Sequence, residues 1–302
     1  MRVAMVAATG RYGHLVLEQL LERGAWVRAL VRSPERADAA RGRGAHEAVV
    51  ADLTHPDTLP PAVAGMDGIF HLGPGLHPKE AEMGTALVAA ARAAQVPKFV
   101  FSGVIHPSIS ALSNHAAKLP VEDALYASGM DFTVLQPSRF MQTISDYWLT
   151  ERNQLALPYS VTSKMSWVDY RDVAEVAATA MTSDQLSTGT FELSSPGTFT
   201  GVQTATLLAE IAGKPITAVH TRASDSAQQL PEPRRAAFLQ MMAYYDRVGL
   251  PSGNAEVLAT VLGRKPRTLQ AFLREMVRSS AFPPLGVHEP TTAKDRRSKG
   301  IR

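Results

Sequence analysis

Short unbroken apolar runs alternate with stretches of helical spacing through the first half of this 302-residue chain. Residues 3–7, Val-Ala-Met-Val-Ala, make the first run, and a glycine at position 10 closes it. A strand covered on both faces reads this way. From Tyr12 onward apolar side chains recur at Leu15, Val16, Leu20 and Leu21, and Arg23-Gly24 ends the segment with the cation and glycine expected of a helix C-terminus. Runs at 26–31, 47–50, 68–72, 98–102 and 132–136 predict further strands, with intervening helices clearest at 79–94 and 116–128. Alternation of this kind predicts an α/β fold, a doubly wound parallel sheet with helices on both faces.

The regularity loosens after Pro137. Helical spacing is visible at 140–152 and 171–181, a strand at 190–193, a helix at 202–212 closed by Gly213, and three more helices at 233–245, 255–262 and 269–278. The expected organisation is a nucleotide-binding body at 1–150, to which 165–195 returns, and a smaller, mainly helical substrate unit within 151–282. Residues 283–302 combine proline, small residues and charge, and are expected to form a flexible basic tail.

Charge narrows the partners. The chain carries a net charge of +3. The tail accounts for it, with Lys294, Arg296, Arg297, Lys299 and Arg302 against Glu289 and Asp295. The body is balanced and has no excess of cations with which to neutralise phosphates, so a nucleic-acid partner is not expected. The absence of cysteine excludes disulfides, thiol nucleophiles, iron–sulfur clusters and cysteine zinc sites. Any redox chemistry must therefore use a bound cofactor. The apolar start is broken at Thr9-Gly10-Arg11 before a signal-peptide core is complete, and no run approaches the roughly 18 apolar residues of a membrane span. A cytoplasmic protein without membrane contact is the expectation.

The first strand runs directly into Ala7-Ala8-Thr9-Gly10-Arg11-Tyr12-Gly13, ahead of the first helix. Such a turn brings backbone N–H groups and the positive helix end against a pyrophosphate, with Gly10 and Gly13 allowing close approach. Alanine stands at position 7, where the first glycine of such a turn is expected. A methyl there is either tolerated or shifts the turn. The second strand ends in Arg32, where NAD-binding chains usually present a carboxylate to the ribose. An arginine suits a 2′-phosphate, and Arg11 is a second candidate cation for the same group, so NADP(H) is the expected cofactor. Either arginine alone would read as an ordinary surface residue. Asp52 and Leu53 follow the third strand and would lie beside the adenine. Leu72, Gly73 and Pro74 follow the fourth and would lie beside the linking phosphates or the nicotinamide ribose.

These residues together resemble the NmrA-like branch of the atypical short-chain dehydrogenases/reductases, kin of isoflavone-type and triphenylmethane-type reductases. The likeness extends over about 3–278. It takes in the Ala-Ala-Thr-Gly turn, Val31-Arg32-Ser33-Pro34, Ala51-Asp52-Leu53, the block at 101–107, Asn114-His115-Ala116-Ala117-Lys118, the block at 135–142, Asp172-Val173-Ala174 and the block at 263–268. It implies an N-terminal Rossmann domain, a smaller substrate domain and a cleft between them. Ordinary short-chain enzymes use Tyr-x-x-x-Lys; here Lys118 matches the lysine, but Asn114 stands at the tyrosine. Tyrosine acid catalysis is thus excluded. Lys118 is the first candidate for ribose binding and proton transfer, with His115 three residues before it on one helical face and Ser102 at a strand end as companions. His115 could equally cap or pack, and Ser102 could cap the next segment. Glu122 and Asp123 read as ion-pairing residues, His106 as structural, and His71 and His77 lack metal-ligand spacing. Pro137 closes the cofactor list.

An apolar or aromatic small-molecule substrate is expected against Phe140, Met141, Tyr147, Trp148, Trp167 and Tyr170, although many such residues at helix spacing belong to cores. The leading reading is an NADPH-dependent reductase of a small carbonyl, quinone or conjugated compound. A non-catalytic NADP(H) sensor, which Asn114 favours, and a non-redox isomerase or cyclase are the alternatives.

Overall fold

A computed structural model describes residues 1–278. The tail at 283–302 lies outside the described residues. Seven parallel strands form the central sheet: β1 (Arg2–Val6), β2 (Trp26–Val31), β3 (Glu47–Val50), β4 (Gly68–Leu72), β5 (Lys98–Ser102), β6 (Asp131–Pro137) and β11 (Gly189–Leu193). Their order is β11-β6-β5-β4-β1-β2-β3. The chain lays β2 and β3 on one side of β1, then crosses to lay β4 on the other. The topological switch therefore falls between β1 and β4, where ligands bind in open parallel sheets.

Helices cover both faces because both faces are apolar. On one face α1 (Gly13–Glu22), α2 (Pro34–Gly42) and α7 (Tyr170–Thr182) bury Val16, Leu17, Leu20, Val173 and Ala177 against Val3, Met5 and Val27. On the other, α3 (Leu59–Val63), α4 (Glu80–Ala93) and α6 (Leu119–Tyr126) bury Leu59, Leu87, Val121 and Leu125 against Ala4, Ile69, Phe99 and Val134.

A third core gathers Leu155, Leu157, Tyr159, Met165, Trp167, Leu208, Tyr245 and Phe272. Around it stand α8 (Gly201–Ala212), α10 (Arg234–Val248), α12 (Leu269–Arg278) and two three-stranded sheets. The sheets combine β7 (Arg139–Phe140), β10 (Met165–Val168) and β12 (Thr198–Phe199), and β8 (Trp148–Leu149), β9 (Gln154–Leu157) and β13 (Thr217–His220). The region expected to be mainly helical thus also holds small sheets, built from strands of two to four residues.

Two segments depart from their sequence pattern. Residues 140–152 are not one helix: Met141–Asp146 and Thr150–Arg152 are 3-10 turns separated by β8. The first of these turns packs Met141 and Ile144 inward, and the second buries no residue. The expected helix at 116–128 is also broken, into α5 (Ser113–Ala116) and α6, with Pro120 in the first turn of α6. Proline suits a helix start, and just ahead of it Lys118 N donates to the His115 carbonyl at 2.9 Å. Elsewhere, α11 (Ala255–Leu262) and α12 match their expected bounds, and Asp172 at the start of α7 accepts a hydrogen bond from the Arg267 N–H at 2.7 Å. That bond draws together two of the sequence blocks noted above.

Candidate functional site

The glycine turn lies at the switch point. Its geometry is set by Ala7, whose φ of 64° is in the left-handed region that favours glycine. The Ala7 carbonyl accepts from Gly10 N at 2.8 Å, and any Cβ at Gly13 would collide with that carbonyl. Gly13 is therefore required by the close approach of turn and helix. Tyr12 gives α1 no side-chain cap; His14 N and Leu15 N donate to the Gly10 and Tyr12 carbonyls at 3.2 and 3.1 Å.

Arg11 does not stand free beside the turn. Its Nη1 donates to both carboxylate oxygens of Asp146, at 2.9 and 2.6 Å, and its Nη2 donates to the Gln142 carbonyl at 2.6 Å and Ser145 Oγ at 2.9 Å. Both arms of the guanidinium are engaged, which corrects the expectation of a second phosphate cation. Tyr12 is likewise tied down, with its ring centroid 4.7 Å from that of Phe140 and 5.2 Å from that of Tyr170. Arg32 is the contrast. At the end of β2 it is exposed and has no hydrogen-bond or ion-pair partner among the described residues.

Asp52 holds a local turn, accepting from Thr54 N at 2.9 Å and Thr54 Oγ1 at 2.8 Å. The backbone bond from Thr54 keeps its carboxyl below the usual range. Leu53 packs on the second core and Leu72 on the first. Gly73 lies against the Glu80 side chain, with Pro74 following. Pro137 is buried, and its carbonyl accepts from Ile105 N at 2.9 Å.

Past the carboxyl ends of β4, β5 and β6 lies a buried polar cluster that the sequence only partly revealed. Lys118 Nζ is ion-paired with Glu80 Oε1; both side chains are buried, and Glu80 Oε2 has no partner. Burial pulls the Lys118 ammonium down to about 8, with the Glu122 carboxylate opposing the fall. Glu122, read from the sequence as an ion-pairing residue, has its charge opposite that of Lys118. It is buried and accepts from Gln136 Nε2 at 3.1 Å, and burial raises its pKa. Asn114 Oδ1 is buried without a hydrogen-bond partner. Ser102 is fully buried, its Oγ 3.5 Å from the Tyr170 hydroxyl.

His115 does not hold a proton near neutral pH. Burial pulls its pKa down to about 4, against the raising effect of its bond to the His106 carbonyl, and its Nδ1 lies 3.2 Å from that oxygen. His71 was read from sequence only as a failed metal ligand. It is buried on the ring of Phe101, centroids 5.5 Å apart, and desolvation followed by the Lys118 charge pulls it down to about 3. Glu80, His71 and Gln136 gave no signal in the sequence: Glu80 reads there as an ordinary acidic first-turn residue.

The substrate candidates separate. Tyr147 and Trp167 line a water-sized cavity together with Leu155, Tyr159, Met165 and Phe199. Trp148 is half-buried, its indole N–H without an acceptor. Phe140 and Tyr170 pack on each other, centroids 4.6 Å apart, and Met141 is fully buried. These three form walls of the fold and not an open surface. Among the described residues no group of His, Asp and Glu could hold a metal ion, and no helix is long and apolar enough to cross a membrane.

The sequence profile of the NmrA-like family matches residues 1–273. The chain is a member of that family. This NmrA-like protein is 30% identical over 284 residues to the NAD(P)H azoreductase of Xenophilus azovorans, covering 90% of this chain and 96% of the relative. Its fold matches the NADPH complex of an NADPH-dependent quinone oxidoreductase from Escherichia coli, with a TM-score of 0.78 at 22% identity over 91% of this chain and 99% of the other. It also matches the Citrobacter sp. triphenylmethane reductase complexed with NADP(H), with a TM-score of 0.79 at 21% identity over 92% and 100%.

Proposed function

We propose that the protein is an NADPH-dependent reductase of small apolar or aromatic compounds such as quinones, azo dyes or conjugated carbonyls. The observation that carries this reading is the pairing of an uncapped glycine turn at the switch point with the unpartnered Arg32 on its ribose side. The residues fit the dinucleotide. The turn leaves room only while position 13 is glycine, and Arg32 offers a free guanidinium to a 2′-phosphate. Backbone N–H groups of Thr9, Arg11, Tyr12 and Gly13 would hold the pyrophosphate, Gly10 N–H being held by the Ala7 carbonyl, and Gly73 and Pro74 would border it. Lys118 would meet the nicotinamide ribose.

When bound, the cofactor supplies the hydride. Lys118 supplies the matching proton: its ammonium, held by Glu80, titrates near the pH at which proton transfer is effective. The substrate gains a hydride at one end of its conjugated or polar bond and a proton at the other, so a quinone, with one added hydrogen on each oxygen, becomes a hydroquinone and the two-electron balance closes. Arg11 joins the turn to the 141–146 segment, placing the substrate-side residue Tyr147 one residue beyond the Asp146 anchor. The relatives' activities on azo compounds, quinones and triphenylmethane dyes support this substrate class. The test is NADPH oxidation followed by absorbance with naphthoquinones, azo dyes and enones. Turnover with at least one class supports the reductase. NADPH binding without turnover on all of them supports the sensor reading, for which Asn114 in the tyrosine position is the specific observation.

A further inference from the structure

Arg139 opens β7 with its guanidinium among four aromatic rings. The ring centroids lie at 4.9 Å for Tyr159, 5.0 Å for Trp167, 5.4 Å for Tyr147 and 5.7 Å for Tyr245. No carboxylate pairs with it among the described residues. Arg139 Nη1 is buried with no hydrogen-bond partner, and so is Trp167 Nε1. The two residues are register partners across the parallel pair β7 and β10, so their side chains leave the same face of that sheet. Phe140 leaves the other face and packs on Tyr12 and Tyr170.

A guanidinium stays charged, and a buried charge is costly unless it is paired. The ring faces attract it, but they accept no ordinary hydrogen bond from Nη1 or from the indole N–H. The phenols do not supply the missing charge either. Burial raises the pKa of Tyr147 and Tyr159 and pushes Tyr245 up to about 12, so all three are neutral near neutral pH. The Tyr147 and Tyr159 hydroxyls hydrogen-bond the guanidinium, which leaves Arg139 Nη1 and the Trp167 indole N–H as two buried donors without an acceptor. Tyr147, Tyr159 and Trp167 also border the cavity, whose far side is apolar with Leu155, Met165 and Phe199.

We infer that Arg139 and the Trp167 indole N–H hold an oxyanion, a carboxylate or sulfonate, carried on an aromatic or apolar ligand whose frame lies along the apolar wall of that cavity. The cavity admits about one water in this structure, so the oxyanion enters as the half-buried Tyr147 ring turns aside. That this ligand is the substrate rests on the reductase reading; the anion site itself does not.

Calorimetric titration of the NADPH-free protein with naphthalene-2-sulfonate and with the neutral naphthalene-2-sulfonamide tests the site. The sulfonate should bind about tenfold or more tightly, since a charge-assisted pair forms only with the anion. Arg139→Met should bring the two within about twofold of each other, and Arg139→Lys should fall between because lysine keeps the charge without the fork. Equal binding of the two probes to the wild-type protein, a comparison that needs no variant, overturns the proposal. Displacement of naphthalene-2-sulfonate by an equal concentration of sodium sulfate would also overturn it, by showing a site for any free anion. Turnover separates the two readings. A sulfonated naphthoquinone reduced no better than the plain naphthoquinone removes the substrate assignment and leaves the reductase. Sulfonate binding without turnover of any of the quinones, azo dyes and enones removes the reductase and leaves the anion site.

Discussion

Arg11 and Asp146, 135 residues apart, are joined by two hydrogen bonds of 2.9 and 2.6 Å that tie the glycine turn to the first turn beyond β7. The pair is only about one-sixth exposed on either side, at 16% and 15%. The turn and the segment leading to Tyr147 and Trp148 are therefore tied together. Arg11 is engaged within the fold in this arrangement, and Arg32 is the arginine proposed to meet a 2′-phosphate.

Arg11→Ala should accordingly leave the ratio of NADPH to NADH affinity within about twofold of wild type while lowering stability by about 1.5–3 kcal/mol, the scale of hydrogen bonds to a charged group. Chemical denaturation and paired cofactor titrations measure the two effects. A collapse of the NADPH preference in this variant would return the phosphate contact to Arg11.

Ala7 carries a methyl at a left-handed φ of 64°. Ala7→Gly should raise stability by about 1 kcal/mol through relief of that strain, offset in part by glycine's greater freedom when unfolded. Cofactor affinity should be unchanged or improved. A clear loss of NADPH affinity in Ala7→Gly would show that the methyl contributes to binding.

Lys118 donates its proton only while it is protonated, so turnover should fall as pH rises through about 8, the value to which burial brings it. Lys118→Ala should lower kcat by about 10²-fold, the usual scale of general acid catalysis. Glu80→Gln removes the carboxylate that holds the ammonium, and the descending limb of the pH profile should move to lower pH. A profile in Glu80→Gln that coincides with wild type would separate Glu80 from the chemistry.

His71 and His115 are buried and neutral, with pKa values of about 3 and about 4 against the usual 6.5. Depressed histidines bind their protons in the unfolded chain first, so stability is lost as pH falls from about 6.5 toward those values. His71→Phe should flatten the loss between pH 6.5 and pH 4.5 by roughly 2 kcal/mol, two pH units on one such group, as read by urea denaturation at the two pH values. An unchanged slope would mean that another group governs acid unfolding.

The strands and helices of the main sheet were legible because burial on both faces leaves continuous apolar runs, and α11 and α12 because one face of each is apolar. Residues 140–152 misled because the 3-10 turn at 141–146 buries Met141 and Ile144 at a spacing that a helix would also bury. Strands of two residues, such as β7 and β8, leave no period to read. Within the site, the turn and Lys118 could be read because each lies in a local motif. Glu80, His71 and Gln136 could not, since their roles arise from side chains meeting across β4, β5 and β6 and the flanking helices. The cage around Arg139 is of the same kind: its rings come from positions 147, 159, 167 and 245.

Fluorescence titration of the purified protein with NADPH and with NADH, repeated on Arg32→Ala, tests the central claim most directly. NADPH should bind about 10- to 100-fold more tightly than NADH, since charge-assisted contacts to the phosphate contribute roughly 1.5–3 kcal/mol, and Arg32→Ala should abolish most of that difference while leaving NADH affinity unchanged. Equal affinities for the two nucleotides, or a preference that survives Arg32→Ala, would contradict the assignment of this cleft to NADP(H).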